Sequence, residues 1–310
     1  RRHLRAGHRV VLLEATGAVG GAIAQATLPD AGDLALNTGA EAYSTGSGAV
    51  DALVAELGLA EQIVAPREGL GSRVVSEAGA HRAPGGSLLG IPSRPLAADV
   101  RAVLGTSGSL RAALERFLPA SFGARPGATV AHVVRRRLGK KVLERLVAPV
   151  IGGVHSSDPA TLEFAAASPQ LSRGLAEHGS LTSAVRRIRG RSTGSAGTRV
   201  HALSPTMASL PQTLQARFLA AGGILRTGVE VVGVARDGAK WQVLTSPKEE
   251  LTADHLVLAC PPDTARELLG EAVPAIAEAI PQAPSAAVRL AALVLDTPAL
   301  DAFPSGTGAL

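Results

Sequence analysis

The stretch RVVLLEATGAVGGA, residues 9–22, decides the fold class of this chain. Its first half is a short apolar run, rich in β-branched residues, that ends in an acid, Glu14, and predicts a strand. Gly20 and Gly21 follow, and paired glycines let the backbone approach a ligand closely and expose amide donors. In a doubly wound βαβ unit, an acid in this position accepts hydrogen bonds from the ribose of a dinucleotide. The stretch therefore predicts an α/β dinucleotide-binding fold.

Taken alone, Glu14 is more often a solvated strand end than a ribose ligand, so the rest of the chain has to support the interpretation. Residues 210–221 have a helical pattern closed by two glycines, and strands are predicted over 228–235, 241–245 and 255–260. Asp237 and Gly238 form a hairpin turn signal between the first two strands. A strand, hairpin and strand far along the chain are what a flavoprotein with a split dinucleotide domain needs.

The middle of the chain is predicted to be helical, over residues 96–117 and 128–147. In the second helix, apolar residues recur at helical spacing, namely Val130, Val134, Leu138, Val142 and Leu146. Basic residues are expected to fill its remaining surface, namely Arg135, Arg136, Arg137, Lys140, Lys141 and Arg145. Such a helix either lies on an anionic membrane surface or is an ordinary helix with its charged face in water, and the second interpretation is favoured. Residues 192–197 are a flexible linker by composition.

Composition narrows the function classes. The chain has 310 residues and a net charge of +5, but one Trp, one Tyr and five Phe leave few rings for stacking nucleobases, which argues against a nucleic-acid partner. Cys260 is the one cysteine, so a disulfide framework and a cysteine-based metal site are excluded and a reducing cytoplasmic setting is favoured. No apolar run is long enough to span a bilayer, and no signal peptide opens the chain.

Two segments, EATGAVGGAI (14–23) and TGAEAY (38–43), resemble the amine-oxidase and porphyrinogen-oxidase superfamily. More specific are residues 133–172 and EHGSLTSAVRR (177–187), which are similar to the FAD-dependent porphyrinogen oxidases of the Gram-positive type. The resemblance covers nearly all of the chain. It implies a mixed α/β (α+β) fold with a split Rossmann-like FAD-binding domain, over residues 1–75 and 196–262. A mixed-sheet substrate domain (76–94 and 263–310) and a helical subdomain (95–195) complete it.

The same resemblance implies the residues that hold FAD. Glu14 would bind the adenosine ribose, and Val229 would contact the adenine region through its backbone. Gly20, Gly21 and Ala22 would lie along the pyrophosphate or the ribityl chain, and Gly39 and Ala40 would approach the flavin. Ala22 departs from the family, which usually has Lys or Arg there.

The implied activity is oxidation of a porphyrinogen in heme biosynthesis, with oxygen as the acceptor and hydrogen peroxide as a product. Coproporphyrinogen III and protoporphyrinogen IX both remain candidates, and the many arginines lean toward the more anionic coproporphyrinogen. Arg94 is the candidate for binding substrate propionates, because its planar fork pairs bidentately with carboxylates. A solvated loop cation is the alternative for Arg94.

No side chain is assigned a catalytic role or a metal, because the cofactor carries the hard chemistry. His132, His155 and His178 are each predicted to be packed or surface side chains. The expected partners are the tetrapyrrole, oxygen, other heme-pathway enzymes and, peripherally, the inner face of the cell membrane. The alternatives are another flavin amine oxidase, a carotenoid desaturase-like enzyme or an inactive partial gene product.

The chain begins at Arg1 and its one methionine is Met207, so we expect a fragment that lacks both termini. The glycine-rich phosphate loop of a dinucleotide fold lies about 20 residues before the acid, which falls upstream of Arg1. We therefore expect the fragment to bind FAD weakly or not at all.

Overall fold

The computed structural model describes residues 7–67, 70–77, 79–190, 200–282, 287–295, 297–298 and 306–310. The predicted linker 192–197 lies outside these residues. The chain divides into two compact units. The sheet unit comprises Arg1–Ala42, Asp51–Ile63 and Ala202–Ala292, and the helical unit comprises Tyr43–Val50, Val64–His201 and Leu293–Leu310. The division into three domains stays a prediction.

The described residues contain both helices and strands, as a mixed class requires. The strands are β1 (Val11–Glu14), β2 (Gln25–Leu28), β3 (Leu34–Asn37), β4 (Tyr43–Ser44), β5 (Ile63–Val64), β6 (Arg73–Ser76), β7 (Gly79–Arg82), β8 (Ser87–Leu88), β9 (Ile91–Pro92), β10 (Val200–Leu203), β11 (Ile224–Thr227), β12 (Glu230–Asp237), β13 (Lys240–Ser246) and β14 (Glu249–Ala253). The α-helices are α1 (Ala49–Glu56), α2 (Ala98–Ala113), α3 (Val130–Leu138), α4 (Lys140–Val142), α5 (Ala148–His155), α6 (Phe164–Ala167), α7 (Pro169–His178), α8 (Leu181–Gly190), α9 (Ser209–Ala220), α10 (Pro262–Leu269) and α11 (Pro274–Ala279). Short 3-10 turns cover Pro29–Ala31, Ala60–Gln62 and Leu114–Phe117, and a π-helical turn covers Leu143–Val147.

The sheet unit contains a parallel pair of strands and two antiparallel sheets. Strand β1 pairs in parallel with β11, and Glu14 stands opposite Thr227 at their carboxyl ends. A parallel pair needs a crossover connection, and the chain returns to β11 through helix α9. Strands β2 and β3 form a hairpin, and β12, β13 and β14 form a meander. The predicted turn after Asp237 is present, with Gly238 at φ 58° between the two strands.

The strand predicted over residues 255–260 is wrong. The third strand of the meander is β14, at 249–253, and residues 255–259 join no ladder in the part of the chain that the structure describes. The alternation that suggested a strand has a physical basis, because Leu256 and Leu258 pack on the core of the meander while Val257 is 75% exposed. One-sided packing gives the period of two, but it does not supply a neighbouring strand.

The helical unit has the apolar core that its periodicity predicted. All five residues of the predicted row from Val130 to Leu146 are buried, together with Leu104, Ile151 and Leu171. The predicted helix 96–117 is present as α2 and the 3-10 turn that follows it, with a kink at Gly105. Among the described residues, no helix combines the length and the apolar character needed to cross a membrane.

The predicted helix 128–147 differs from the structure in two ways. It is interrupted at Gly139, whose φ of 97° is outside the helical region, and the chain continues through α4 and the π-helical turn. Placing Arg137 on the basic surface is also wrong, because its side chain is fully buried. Of the six basic residues, Arg135, Arg136 and Lys140 are exposed. The favoured interpretation, one face on the core and charge in water, therefore describes this region with one cation removed from the surface.

Candidate functional site

The carboxyl end of the parallel pair brings Glu14 and Val229 together. The Val229 N–H donates to the Glu14 carbonyl oxygen at 3.0 Å, and the Gly228 N–H donates to the Thr16 carbonyl oxygen at 2.8 Å. These bonds extend the parallel ladder beyond the strand ends. The N–H of Val229 is thus engaged within the fold, which leaves its carbonyl for the adenine contact that the resemblance implies.

The Glu14 carboxylate is oriented by Thr16. Its Oε1 accepts from the Thr16 backbone N–H at 2.8 Å and lies 2.7 Å from the Thr16 Oγ1, which also lies 2.8 Å from the Ala18 carbonyl oxygen. The other oxygen, Oε2, accepts no hydrogen bond from the residues that the structure describes. A half-buried carboxylate with one oxygen fixed and the other free is suited to a ribose hydroxyl.

Two glycine segments, the first from Gly20 to Ala22 and the second from Gly39 to Ala40, meet at the open end of the β2–β3 hairpin. The ladder continues past the strands, with the Thr38 N–H donating to the Ala24 carbonyl at 2.9 Å and the Ala40 N–H donating to the Ala22 carbonyl at 2.7 Å. Ala22 is therefore in contact with Gly39 and Ala40, and Gly20 and Gly21 directly precede it in the chain.

Close backbone contacts explain two of the glycines. A Cβ on Gly39 would overlap the Ala22 carbonyl oxygen, and a Cβ on Gly20 would lie 2.5 Å from the Ile23 carbonyl oxygen. Gly21 differs, because a Cβ there would meet nothing within 4 Å, although its φ of 54° is left-handed. The backbone at Gly21 thus faces open space, which fits a site for an extended dinucleotide.

Polar side chains that no local sequence pattern marks connect this hairpin to the start of helix α9. The Asn37 Oδ1 accepts from the Met207 N–H at 2.9 Å. The Gln25 Oε1 accepts from the Thr206 hydroxyl at 2.5 Å. Thr206 and Met207 are 1% and 2% exposed, so both donors are removed from water.

Arg94 lies in the helical unit and not with the implied flavin residues. It is exposed on the turn after β9, and its carbonyl accepts from the Ala97 N–H at 3.0 Å. The preceding residue, Ser93, is held through its carbonyl by the Arg186 Nη2 at 2.9 Å. The turn is therefore anchored while the Arg94 guanidinium reaches solvent. His155 is also exposed, at the end of α5, in agreement with a surface role.

The helical unit contains a buried ionic network. The Arg137 Nε donates to the Glu115 Oε1 at 2.9 Å, and both side chains are fully buried. The remaining Arg137 nitrogens donate to the carbonyls of Pro119, Ala120, Phe122 and Gly179. Glu115 also accepts from the Leu181 N–H, at the start of α8, and from the Ser180 hydroxyl. Every charge has partners, so the network links these segments, and removal of either charge would leave the other buried without compensation.

Known proteins resemble this chain over most of its length. The family model of the flavin containing amine oxidoreductases matches residues 2–307. Coproporphyrinogen III oxidase of Mycobacterium leprae is 28% identical over 279 residues, covering 89% of this chain and 59% of that protein. The proteins of the same name from Propionibacterium freudenreichii and Bacillus subtilis are 29% and 25% identical, covering 83% and 86% of this chain. The chain spans 54% and 56% of those two proteins, little more than half.

Solved structures show the same fold. A candidate protoporphyrinogen oxidase from Exiguobacterium superposes with a TM-score of 0.71 at 21% identity, covering 89% of this chain and 59% of that one. Putrescine oxidase bound to putrescine gives a TM-score of 0.55 at 19% identity, covering 86% of this chain and 56% of that one. The predicted mixed α/β class is confirmed by these neighbours. The match of the family model over almost the whole sequence establishes that this chain belongs to the flavin containing amine oxidoreductase family.

Proposed function

We propose that the protein carrying this chain oxidises a porphyrinogen to a porphyrin with FAD. The observation that carries the proposal is that the three relatives compared above, each matched over at least 83% of this chain, are named coproporphyrinogen III oxidase. Conversion of a porphyrinogen to a porphyrin removes six hydrogen atoms. With molecular oxygen as the acceptor, three O₂ are consumed and three H₂O₂ are formed.

Membership of the family implies a flavin, and FAD is the form proposed here. When bound, a flavin accepts the hydride equivalents that leave the methylene bridges of the substrate. The residues of this chain bind and orient it. Glu14 would hold the adenosine ribose through its free Oε2, Gly20 to Ala22 would lie along the diphosphate side, and Gly39 and Ala40 would support the ring. The ribose role favours FAD over FMN, since FMN has no adenosine.

Coproporphyrinogen III is the favoured substrate. It carries propionates where protoporphyrinogen IX has two vinyl groups, so a site with an exposed guanidinium should prefer it. Arg94 is exposed on an anchored turn, which gives a bidentate partner for a propionate.

The direct test follows porphyrin absorbance after anaerobic reduction of coproporphyrin III and protoporphyrin IX to their porphyrinogens and admission of air. The protein that carries this chain is supplied with FAD, and putrescine with a peroxide assay serves as the comparison substrate. Coproporphyrin should form above the rate without protein and faster than protoporphyrin. Peroxide from putrescine without porphyrin formation would contradict the proposal and favour amine oxidation. No reaction with any of the three would favour an inactive gene product.

Arg94→Ala should raise the KM for coproporphyrinogen by about ten- to a hundredfold with little change in kcat, because a charge-assisted hydrogen bond contributes roughly 1.5–3 kcal/mol. The matched control is Arg101→Ala, which removes another exposed arginine of the same unit. An unchanged KM, or an equal change in the control, would contradict a substrate role for Arg94.

Amine oxidation is the second candidate. The putrescine oxidase structure supports it at the level of the fold. The near absence of Trp and Tyr argues against an aromatic cage for an amine. A cytoplasmic location and peripheral contact with the membrane remain proposals.

A further inference from the structure

A cross-strand pair of polar side chains lies at the open end of the β2–β3 hairpin. Gln25 and Asn37 stand directly opposite each other in the antiparallel register. Opposed residues in such a ladder project from the same face of the hairpin. The two side chains are therefore presented side by side, at the point where the strands give way to the glycine segments.

Both side chains accept hydrogen bonds from consecutive residues of a distant segment. Gln25 accepts from the Thr206 hydroxyl and Asn37 accepts from the Met207 N–H. The partners are 181 and 170 residues apart in sequence. Since both donors are almost fully buried, loss of either acceptor would leave a buried polar group without a partner. The four residues Gln25, Asn37, Thr206 and Met207 are called the hairpin clamp below.

The segment that the hairpin clamp holds is the start of helix α9. This helix begins at Ser209, two residues after Met207, and its Pro211 Cγ would lie 3.2 Å from a Cβ on Gly20. The same helix end thus touches the first glycine of the segment that the resemblance places along the cofactor. A shift of helix α9 would displace the backbone of Gly20 or open a gap beside it.

On the other side, the hairpin clamp is continuous with the second glycine segment. Asn37 is followed at once by the Thr38 to Ala24 and Ala40 to Ala22 hydrogen bonds, which set the position of Gly39. Asn37 therefore fixes both the hairpin ladder and helix α9. Gly20 contacts helix α9, Ala22 continues the ladder, and Gly21 joins the two in the chain.

We propose that Gln25, Asn37 and Thr206 are positioning residues for flavin binding, which hold the two glycine segments at the spacing that the cofactor needs. They act through the backbone of Gly20 to Ala22 and of Gly39 to Ala40 and need not touch the cofactor. The inference rests on the flavin part of the proposed function and not on the porphyrinogen part. It therefore stands or falls independently of the substrate.

The test measures flavin affinity and not turnover. The protein that carries this chain is titrated with FAD while flavin fluorescence is followed, and folding of each variant is checked by circular dichroism and thermal unfolding. Thr206→Val keeps the shape of the side chain and removes its hydroxyl donor, whereas Thr206→Ser keeps the donor. Thr27→Val on strand β2 is the matched control, because Thr27 lies on the same face as Gln25 outside the hairpin clamp.

We expect Asn37→Leu and Thr206→Val to weaken FAD binding about tenfold, the effect of losing a buried hydrogen bond. Thr206→Ser and Thr27→Val should remain within about twofold of the parent. Gln25→Leu and Thr206→Val remove the same hydrogen bond, so the double variant should bind FAD no more weakly than the poorer single variant. Such non-additivity in affinity identifies a pair that acts as a unit.

The proposal is overturned if Asn37→Leu and Thr206→Val bind FAD within about twofold of the parent while their unfolding temperatures fall. That result would assign the hairpin clamp to stability alone. Absence of FAD binding by the parent protein would overturn it as well. If Asn37→Leu does not fold, the Gln25→Leu and Thr206→Val cycle decides, since Gln25 is on the surface.

Discussion

The helical unit and the sheet unit hold their residues in place by different means. In the helical unit, Leu104, Val134, Val142 and Ile151 are 0% exposed. In the sheet unit, the core residues of the meander are buried but retain 5–8% exposure, namely Val234, Val243, Leu269 and Ala277. The glycine segments of the same unit are held by hydrogen bonds. The core of the helical unit, including the Arg137–Glu115 ion pair, is thus closed to water, whereas the predicted flavin residues of the sheet unit lie in backbone segments that hydrogen bonds hold.

Binding of the cofactor would also change the stability of the fold. A ligand that binds only the folded state adds RT ln(1 + [L]/Kd) to stability. The addition depends on [L]/Kd alone, so it measures how well the glycine segments bind the cofactor, whatever contacts hold them in place. The experiments below test this division of roles, from the largest expected effect to the smallest.

Breaking the buried network should have the largest effect. Arg137→Ala leaves the Glu115 carboxylate buried without its cation and should lower the free energy of unfolding by about 3–5 kcal/mol. Chemical denaturation followed by circular dichroism measures it. Arg135→Ala, on the exposed face of the same helix, is the control and should change little. Equal free energies of unfolding for the two variants would show that the buried Arg137 contributes no more to stability than the exposed Arg135.

Glycine-to-alanine substitutions in the sheet unit should distinguish a glycine in close backbone contact from a glycine that faces open space. Gly39→Ala drives a methyl group into the Ala22 carbonyl oxygen and should cost about 1–3 kcal/mol and weaken FAD binding. Gly21→Ala enters open space and should cost about 1 kcal/mol, from its left-handed backbone. Denaturation curves with and without FAD measure both variants. A larger loss for Gly21→Ala would show that the contact with Ala22 is not the constraint.

Glu14→Gln should affect the cofactor and not the fold. The amide can still accept from Thr16, but the charged hydrogen bond to the ribose is lost, so FAD affinity should fall about tenfold. FMN has no adenosine, and its affinity should stay the same. Fluorescence titration with the two flavins measures the ratio. An equal loss for both would remove Glu14 from the ribose.

The smallest effect concerns the surface pair Arg226 and Glu249. Hydrogen bonds from the Arg226 guanidinium, more than its charge, hold the pKa of Glu249 below its ordinary value. A lowered pKa in the folded state gives stability that is present above the unfolded pKa and is lost as the pH falls through the folded pKa. Glu249→Gln should therefore lower the unfolding temperature slightly at neutral pH and not at all in acid. A difference that persists in acid would exclude titration of Glu249 as its cause.

Local patterns predicted much of the fold. The buried row from Val130 to Leu146 follows from helical spacing, and the turn at Gly238 follows from a two-residue signal. The strand predicted over residues 255–260 was wrong because alternation of apolar residues indicates one-sided packing and not the presence of a neighbouring strand. The surface position predicted for Arg137 was wrong because its burial depends on Glu115 and on carbonyl oxygens from several distant segments, which helical spacing does not show.

The candidate site also contains residues that local patterns mark and contacts that they do not. Glu14 and the double glycine are marked by their place after a strand, and the structure brings Glu14 beside Val229, whose backbone N–H it engages. The roles given to these residues stay predictions. The hairpin clamp joins residues about 170 positions apart or more, and neither Asn37 nor Thr206 has a sequence context that would reveal its partner.

The full burial of Arg137 and Glu115 constrains how this chain can diverge. Loss of either residue alone strands a charge, whereas apolar replacement of both at once is tolerated or even stabilising in other proteins. The two positions, 22 residues apart, should therefore covary. Natural homologues are expected to carry the ion pair or a matched apolar pair, and sequences with only one of the two charges should be rare.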